Sequence, residues 1–129
     1  MTPDELLAAA ASLIQRPDAA TTGIWPRAAA LLARQALEVA MDAIWVAKPQ
    51  TSDLSTAPMR SQLLCLTAYL GPDTAARVAY LMASLSHACH YHQYELAPTA
   101  AELTSWLDQA AELVAQMQSS ATGYRIGSR

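Results

Sequence analysis

The stretch Ala28-Ala-Ala-Leu-Leu-Ala-Arg34-Gln-Ala-Leu-Glu38-Val-Ala-Met-Asp42-Ala-Ile-Trp45-Val46 decides the fold. With residues advancing about 100° each, Arg27, Arg34, Gln35, Glu38 and Asp42 fall within an arc of about 100°. Nearly everything else, from Ile24 and Trp25 through Leu31, Leu37, Met41, Ile44 and Trp45, is apolar. A helix apolar over most of its circumference is central in a bundle or lies at a subunit interface. The pattern predicts a helix over about 24–48, with Pro26 confined to its first turn, where the missing N–H costs nothing. Arg34, Glu38 and Asp42, spaced four apart, are placed to form a solvated charge ladder.

Punctuation on either side places the other helices. Thr2-Pro3-Asp4-Glu5 is a helix start with a capping box, opening a helix of about 3–15 that ends before Pro17. Residues 16–22 read as a loop, and Lys48 to Pro58, rich in Thr, Ser and Pro, as a polar connection. A third helix is expected over about 58–70, carrying Leu63, Leu64, Leu66 and Leu70. Gly71-Pro72 closes it and opens a fourth over about 72–91. Glu95-Leu-Ala-Pro98 is a connector, because Pro98 disfavours helix at the residue before it. Thr99-Ala-Ala-Glu102 is a second capping box, starting a helix of about 100–118 with Leu103, Trp106, Leu107, Ala110, Leu113, Val114 and Met117 on one side. No stretch of real length alternates with a period of two, so no strand is expected. The expectation is an all-α, up-and-down antiparallel bundle of about five helices, one domain over 1–118 with a flexible tail over 119–129.

Composition bounds the function. The 129 residues are 53% hydrophobic and only 15% charged, which points to apolar surface buried against a partner. A net charge of −3 and a pI near 5.4 argue against a broad phosphate-binding face, so no DNA partner is expected. One lysine, Lys48, stands among seven arginines, cations suited to bidentate contacts. Cys65 and Cys89 lie in apolar helical patterns and read as buried free thiols. No secretory leader is visible, and no stretch has the roughly 20 uncharged apolar residues that span a bilayer, so the expected location is cytoplasmic, away from membranes.

All three histidines lie in His87-Ala-Cys89-His90-Tyr-His92. On the fourth helix, Arg77, Tyr80, Ser84, His87 and Tyr91 form one stripe, and Val78, Met82, Leu85 and Cys89 roughly the opposite one. His90 falls at the edge of the apolar side and His92 past the last turn. His87 with His90, and Cys89 with His92, have a ligand pair's spacing, but there is no CxxC or second pair elsewhere, so no metal and no cofactor is expected. Ser84 and Ser86 neighbour histidines only in sequence, and no phosphate loop, GxSxG elbow or HExxH is present.

Helix order, the Arg34-to-Glu38 stretch, a penultimate helix ending in histidine and the capped final helix from Pro98 together resemble a HEPN domain over about 22–118. The resemblance implies an antiparallel bundle, a homodimer, and either a metal-independent ribonuclease or a non-catalytic binding module. Catalytic members carry an arginine four to six residues before the histidine. This chain departs from that pattern: no arginine lies four to six residues before His87, His90 or His92, and the nearest upstream, Arg77, precedes His87 by ten residues, about 15 Å along a helix. Cleaving RNA with its own 2′-hydroxyl needs an acid or base near the bond and a fixed cation on the phosphate. The expected function is therefore a non-catalytic, dimeric interaction or regulatory module with a protein or RNA partner. One alternative is a divergent ribonuclease with His87, His90 and His92 in a groove between protomers and Arg77 or Arg34 supplying charge. Another is a small-ligand or metal-binding bundle that uses Trp25, Trp45 or Trp106 with the histidines.

Overall fold

The computed structural model describes residues 1–16, 24–90 and 96–127, with side chains in the last stretch through Thr122. Helix α1 spans Pro3–Gln15, α2 Trp25–Val46, α3 Met59–Leu70, α4 Pro72–Cys89 and α5 Ala100–Gly127, with a 3₁₀ helix over Pro49–Thr56. Among the described residues there is no strand, and the chain is an all-α helical bundle. Both capping boxes form. The Thr2 hydroxyl accepts from the Glu5 N–H at 3.1 Å while Glu5 Oε1 accepts from the Thr2 N–H at 3.0 Å. These bonds, the backbone one first, hold the Glu5 carboxyl below its ordinary range. Thr99 and Glu102 repeat the arrangement at the start of α5, with both bonds at 3.0 Å.

Helix α2 is central, packing on α1, α4 and α5. Its buried face is built largely of alanine: Ala29, Ala30, Ala33, Ala36 and Ala40 are buried alongside Leu37, Met41, Ile44 and Trp45. Small side chains let neighbouring helices approach to the short end of the usual 8–10 Å interaxial range. Leu6 of α1, Val78, Leu81 and Leu85 of α4, and Leu103, Leu113 and Met117 of α5 fill the space around it. The packing side expected for α5 is the one that is buried, with Trp106 half-buried at its edge.

The polar connection after α2 is more ordered than its composition suggests. Ser52, Ser55 and Thr56 each donate a hydroxyl to the carbonyl three residues back, at 3.0, 2.9 and 3.1 Å. These bonds favour a tight 3₁₀ turn. Thr51 Oγ1 ties the turn to the Trp45 carbonyl at 2.7 Å, and Gln62 Nε2 donates to the Ala57 carbonyl at 2.9 Å at its far end. Gln62 also accepts from Trp45 Nε1 at 2.9 Å, so the one buried polar side chain among the described residues joins α2, α3 and this connection.

Three expectations are corrected. Cys65 is exposed rather than buried, because α3 is peripheral and buries only Gln62 and Leu66, which turns Cys65 and Leu64 outward. Helix α5 does not stop at 118 but runs on to Gly127, with Ala121 still packed on the core. No helix breaker falls between 118 and 122, and one more apolar contact rewards the extra turns. The ladder on α2 reduces to a single pair, Arg34 Nε to Glu38 Oε1 at 3.2 Å, since Asp42 four residues on from an acid adds repulsion rather than a partner. Among the described residues, no helix is long and apolar enough to cross a membrane.

Candidate functional site

Helix α4 ends at Cys89, and the backbone N–H of His90 donates to the His87 carbonyl at 3.1 Å to close its last turn. Of the solvent stripe expected on this helix, Arg77, Tyr80 and His87 are exposed, Ser84 is half-buried and Tyr91 lies outside the described residues; of the opposite one, Val78, Met82 and Leu85 are buried and Cys89 half-buried. The ligand-type side chains at its end separate. His87 lines a cleft of about 460 Å³ with Ala88, Leu96, Pro98, Thr99, Glu102 and Trp106. Cys89 is half-buried, and burial pushes its thiol up from the ordinary 9.0. Smaller opposing effects of Arg34, lowering, and Glu38, raising, place it within electrostatic reach of α2. His90 is exposed. His92 lies outside the described residues.

The cleft is formed where the end of α4 meets the start of α5. Trp106 and Ala88 give it an apolar floor, and the capping box sets its rim, with Glu102 Oε1 accepting from the Thr99 N–H. That bond engages the Glu102 carboxylate in holding the helix start. The cleft can receive a small apolar group beside an imidazole, and none of its lining residues is a permanent cation. Among the described residues, no group of three His, Cys, Asp or Glu side chains is placed to hold a metal ion.

The other candidates stand elsewhere. Arg77 Nη1 pairs with Glu112 Oε1 of α5 at 3.2 Å, well up the helix from His87. Arg34 pairs with Glu38 on α2 and does not line the cleft. The Ser84 hydroxyl donates to the Tyr80 carbonyl at 3.1 Å, a backbone bond that leaves it no base to serve as a nucleophile. Among the described residues, Trp106 is the one tryptophan that lines the cleft with a histidine. Trp45 is wholly buried, hydrogen-bonded to Gln62 and packed edge-on to Tyr69 with ring centroids 5.5 Å apart, a core role. Trp25 is half-buried against the core.

Two surfaces were not anticipated from the residues. An apolar cleft between α3 and α4 is bordered by Arg60, Leu63, Leu64, Thr67 and Pro72. A line of apolar side chains, Ile24, Leu31, Val39 and Val46, is exposed along α2. Their spacing of seven, eight and seven residues is the signal that marks them as one stripe. No protein-family model, no curated protein and no solved structure matches the chain.

Proposed function

We propose that this protein is a HEPN-like helical domain acting as a non-catalytic, dimeric interaction module whose partner is a protein or an RNA. The observation that carries the non-catalytic part is the placement of cations. Arg77 is bonded to Glu112, Arg34 to Glu38, and neither lines the cleft that holds His87. Phosphoryl transfer to a 2′-hydroxyl develops charge on the phosphate, and a histidine beside an apolar floor offers no fixed positive charge to meet it. The dimeric part is supported by the exposed aliphatic side chains of Ile24, Leu31, Val39 and Val46 beside the polar residues of the same side. Sedimentation of the purified chain is expected to give a dimer, and incubation with mixed RNA no cleavage above that of a His87→Ala/His90→Ala/His92→Ala variant. A monomer at every concentration, or cleavage lost in the triple variant, overturns the corresponding half of the reading.

A second reading, a divergent metal-independent ribonuclease, has one observation in its favour. The Arg34 charge is felt at Cys89, at the same helix end as His87 and His90. This reading requires cleavage that falls in Arg34→Ala as well as in the triple histidine variant.

A further inference from the structure

We infer that the cleft between α3 and α4 binds a small amphipathic carboxylate, an unbranched acyl chain of about eight carbons with its head group on Arg60. This site is separate from the HEPN-like reading and uses none of the histidines.

The cleft has a volume of about 460 Å³. Small-molecule pockets run from roughly 300 to 1,000 Å³, with mostly apolar walls and a few polar groups that fix orientation. Arg60, Leu63, Leu64 and Thr67 line it from α3. At about 100° per residue these four fall within an arc of about 100°, one face of the helix. Opposite them α4 contributes Pro72 and alanines, Ala76 and Ala79 among them, which carry nothing beyond Cβ and leave the space between the helices unfilled. Leu64 is 73% exposed, and an acyl chain in the cleft takes its apolar surface out of water.

The two polar lining residues stand at the two ends. Arg60 lies in the first turn of α3, and Thr67 is seven residues on, about 10 Å along the helix. The helices are joined by Gly71 alone, so Thr67 and Pro72 form the closed end. An extended chain of about eight carbons covers the same 10 Å or so, at roughly 1.25 Å per bond for carbon–carbon bonds of about 1.5 Å. It therefore reaches from Arg60 to the closed end and stops there.

Charge decides the sign and the place of the head group. Arg34 and Arg77 are bonded to glutamates, and Arg27 and Lys48 also have interactions. Among the described residues from α2 to α4, Arg60 is the one cation without such an interaction. Its guanidinium keeps the whole donor fork for a ligand, and a carboxylate matches that fork with two parallel bonds. Asp73, in the first turn of α4, disfavours an anion at the other end. A partner's helix lying in a groove runs on past both ends of its anchors. The Gly71 junction blocks one end here, which favours a small acid over a helix.

Titration calorimetry and leucine-methyl NMR on the full chain test this with octanoate, 1-octanol and octylammonium. Octanoate is expected to saturate at about 1 mM or below and to shift the methyl resonances of Leu63 and Leu64. Octanol should bind about fivefold more weakly, and octylammonium not measurably. Arg60→Gln should weaken octanoate about fivefold, the worth of one exposed charge pair, and leave octanol unchanged. Arg60→Glu should reverse the preference, so that octylammonium binds better than octanoate. Ala76 is exposed, so Ala76→Leu fills the cleft without entering the core and should abolish binding of all three, with circular dichroism confirming the fold. Octanoate that fails to saturate by about 10 mM, or that binds the Ala76→Leu variant unchanged, overturns the site. Binding that shifts Leu63 and Leu64 but is indifferent to Arg60→Glu overturns the carboxylate assignment. Failure of octanoate together with Arg60-dependent binding of an acidic amphipathic helical peptide gives the cleft to a protein partner and likewise overturns the proposal.

Discussion

Arg77 of α4 reaches Glu112 of α5, Nη1 to Oε1 at 3.2 Å, and this bond directs the nearest upstream arginine across the bundle instead of toward the histidines. Both side chains are about half exposed, so the pair is screened by solvent and contributes roughly 0–1 kcal/mol. Arg77→Ala is expected to lower urea stability by no more than this and to leave RNA retention in filter binding unchanged. A marked drop in retention would return Arg77 to the functional site.

The bond between Trp45 and Gln62 is of another kind because it is buried. Gln62→Leu keeps the volume and removes the acceptor, leaving the indole N–H with no partner. The expected cost is about 1–3 kcal/mol in urea unfolding. Pairing it with Trp45→Phe in a double-mutant cycle should show strong coupling, and additive losses would contradict the bond's importance.

Gly71 joins α3 to α4 at φ 83° and ψ 161°, a region that residues with a Cβ avoid. A Cβ built there meets nothing within 4 Å. Gly71→Ala is therefore expected to cost about 1–3 kcal/mol through backbone strain alone. Gly71→Ser should cost about as much as alanine, since no clash distinguishes them.

The two thiols are expected to differ in reactivity. Cys65 is exposed, whereas Cys89 is half-buried with its thiol held above the ordinary 9.0 by burial. Iodoacetamide at neutral pH should label Cys65 first, as read by peptide mapping, and equal rates would contradict the placement. Because the folded state disfavours the Cys89 thiolate, its contribution to stability is fully present below about pH 9.0 and is lost as pH rises through the raised value. Cys89→Ala should flatten that alkaline decline.

Features that depend on residues three or four apart were readable from the chain. Both capping boxes, the proline and glycine punctuation, the inner side of α5 and the solvent stripe of α4 follow from helical period and local bonding. The separation of His87 from His90 was readable for the same reason. The buried state assigned to Cys65 failed because apolar neighbours on a helix do not say whether that helix is central or peripheral.

What the sequence determined by itself is the all-α bundle, its helix starts, and the absence of an arginine four to six residues before any histidine. Only the tertiary structure decided which groups meet. Trp45 and Gln62 are 17 residues apart and Arg77 and Glu112 are 35 apart, and His87 meets Trp106 because α5 returns beside the end of α4. The fold likewise decided which of the many apolar residues of α2 would remain outside. Periodicity sets the direction of a side chain on its own helix, but burial and partnership depend on which other helix occupies that direction, and that is settled by packing the whole chain at once.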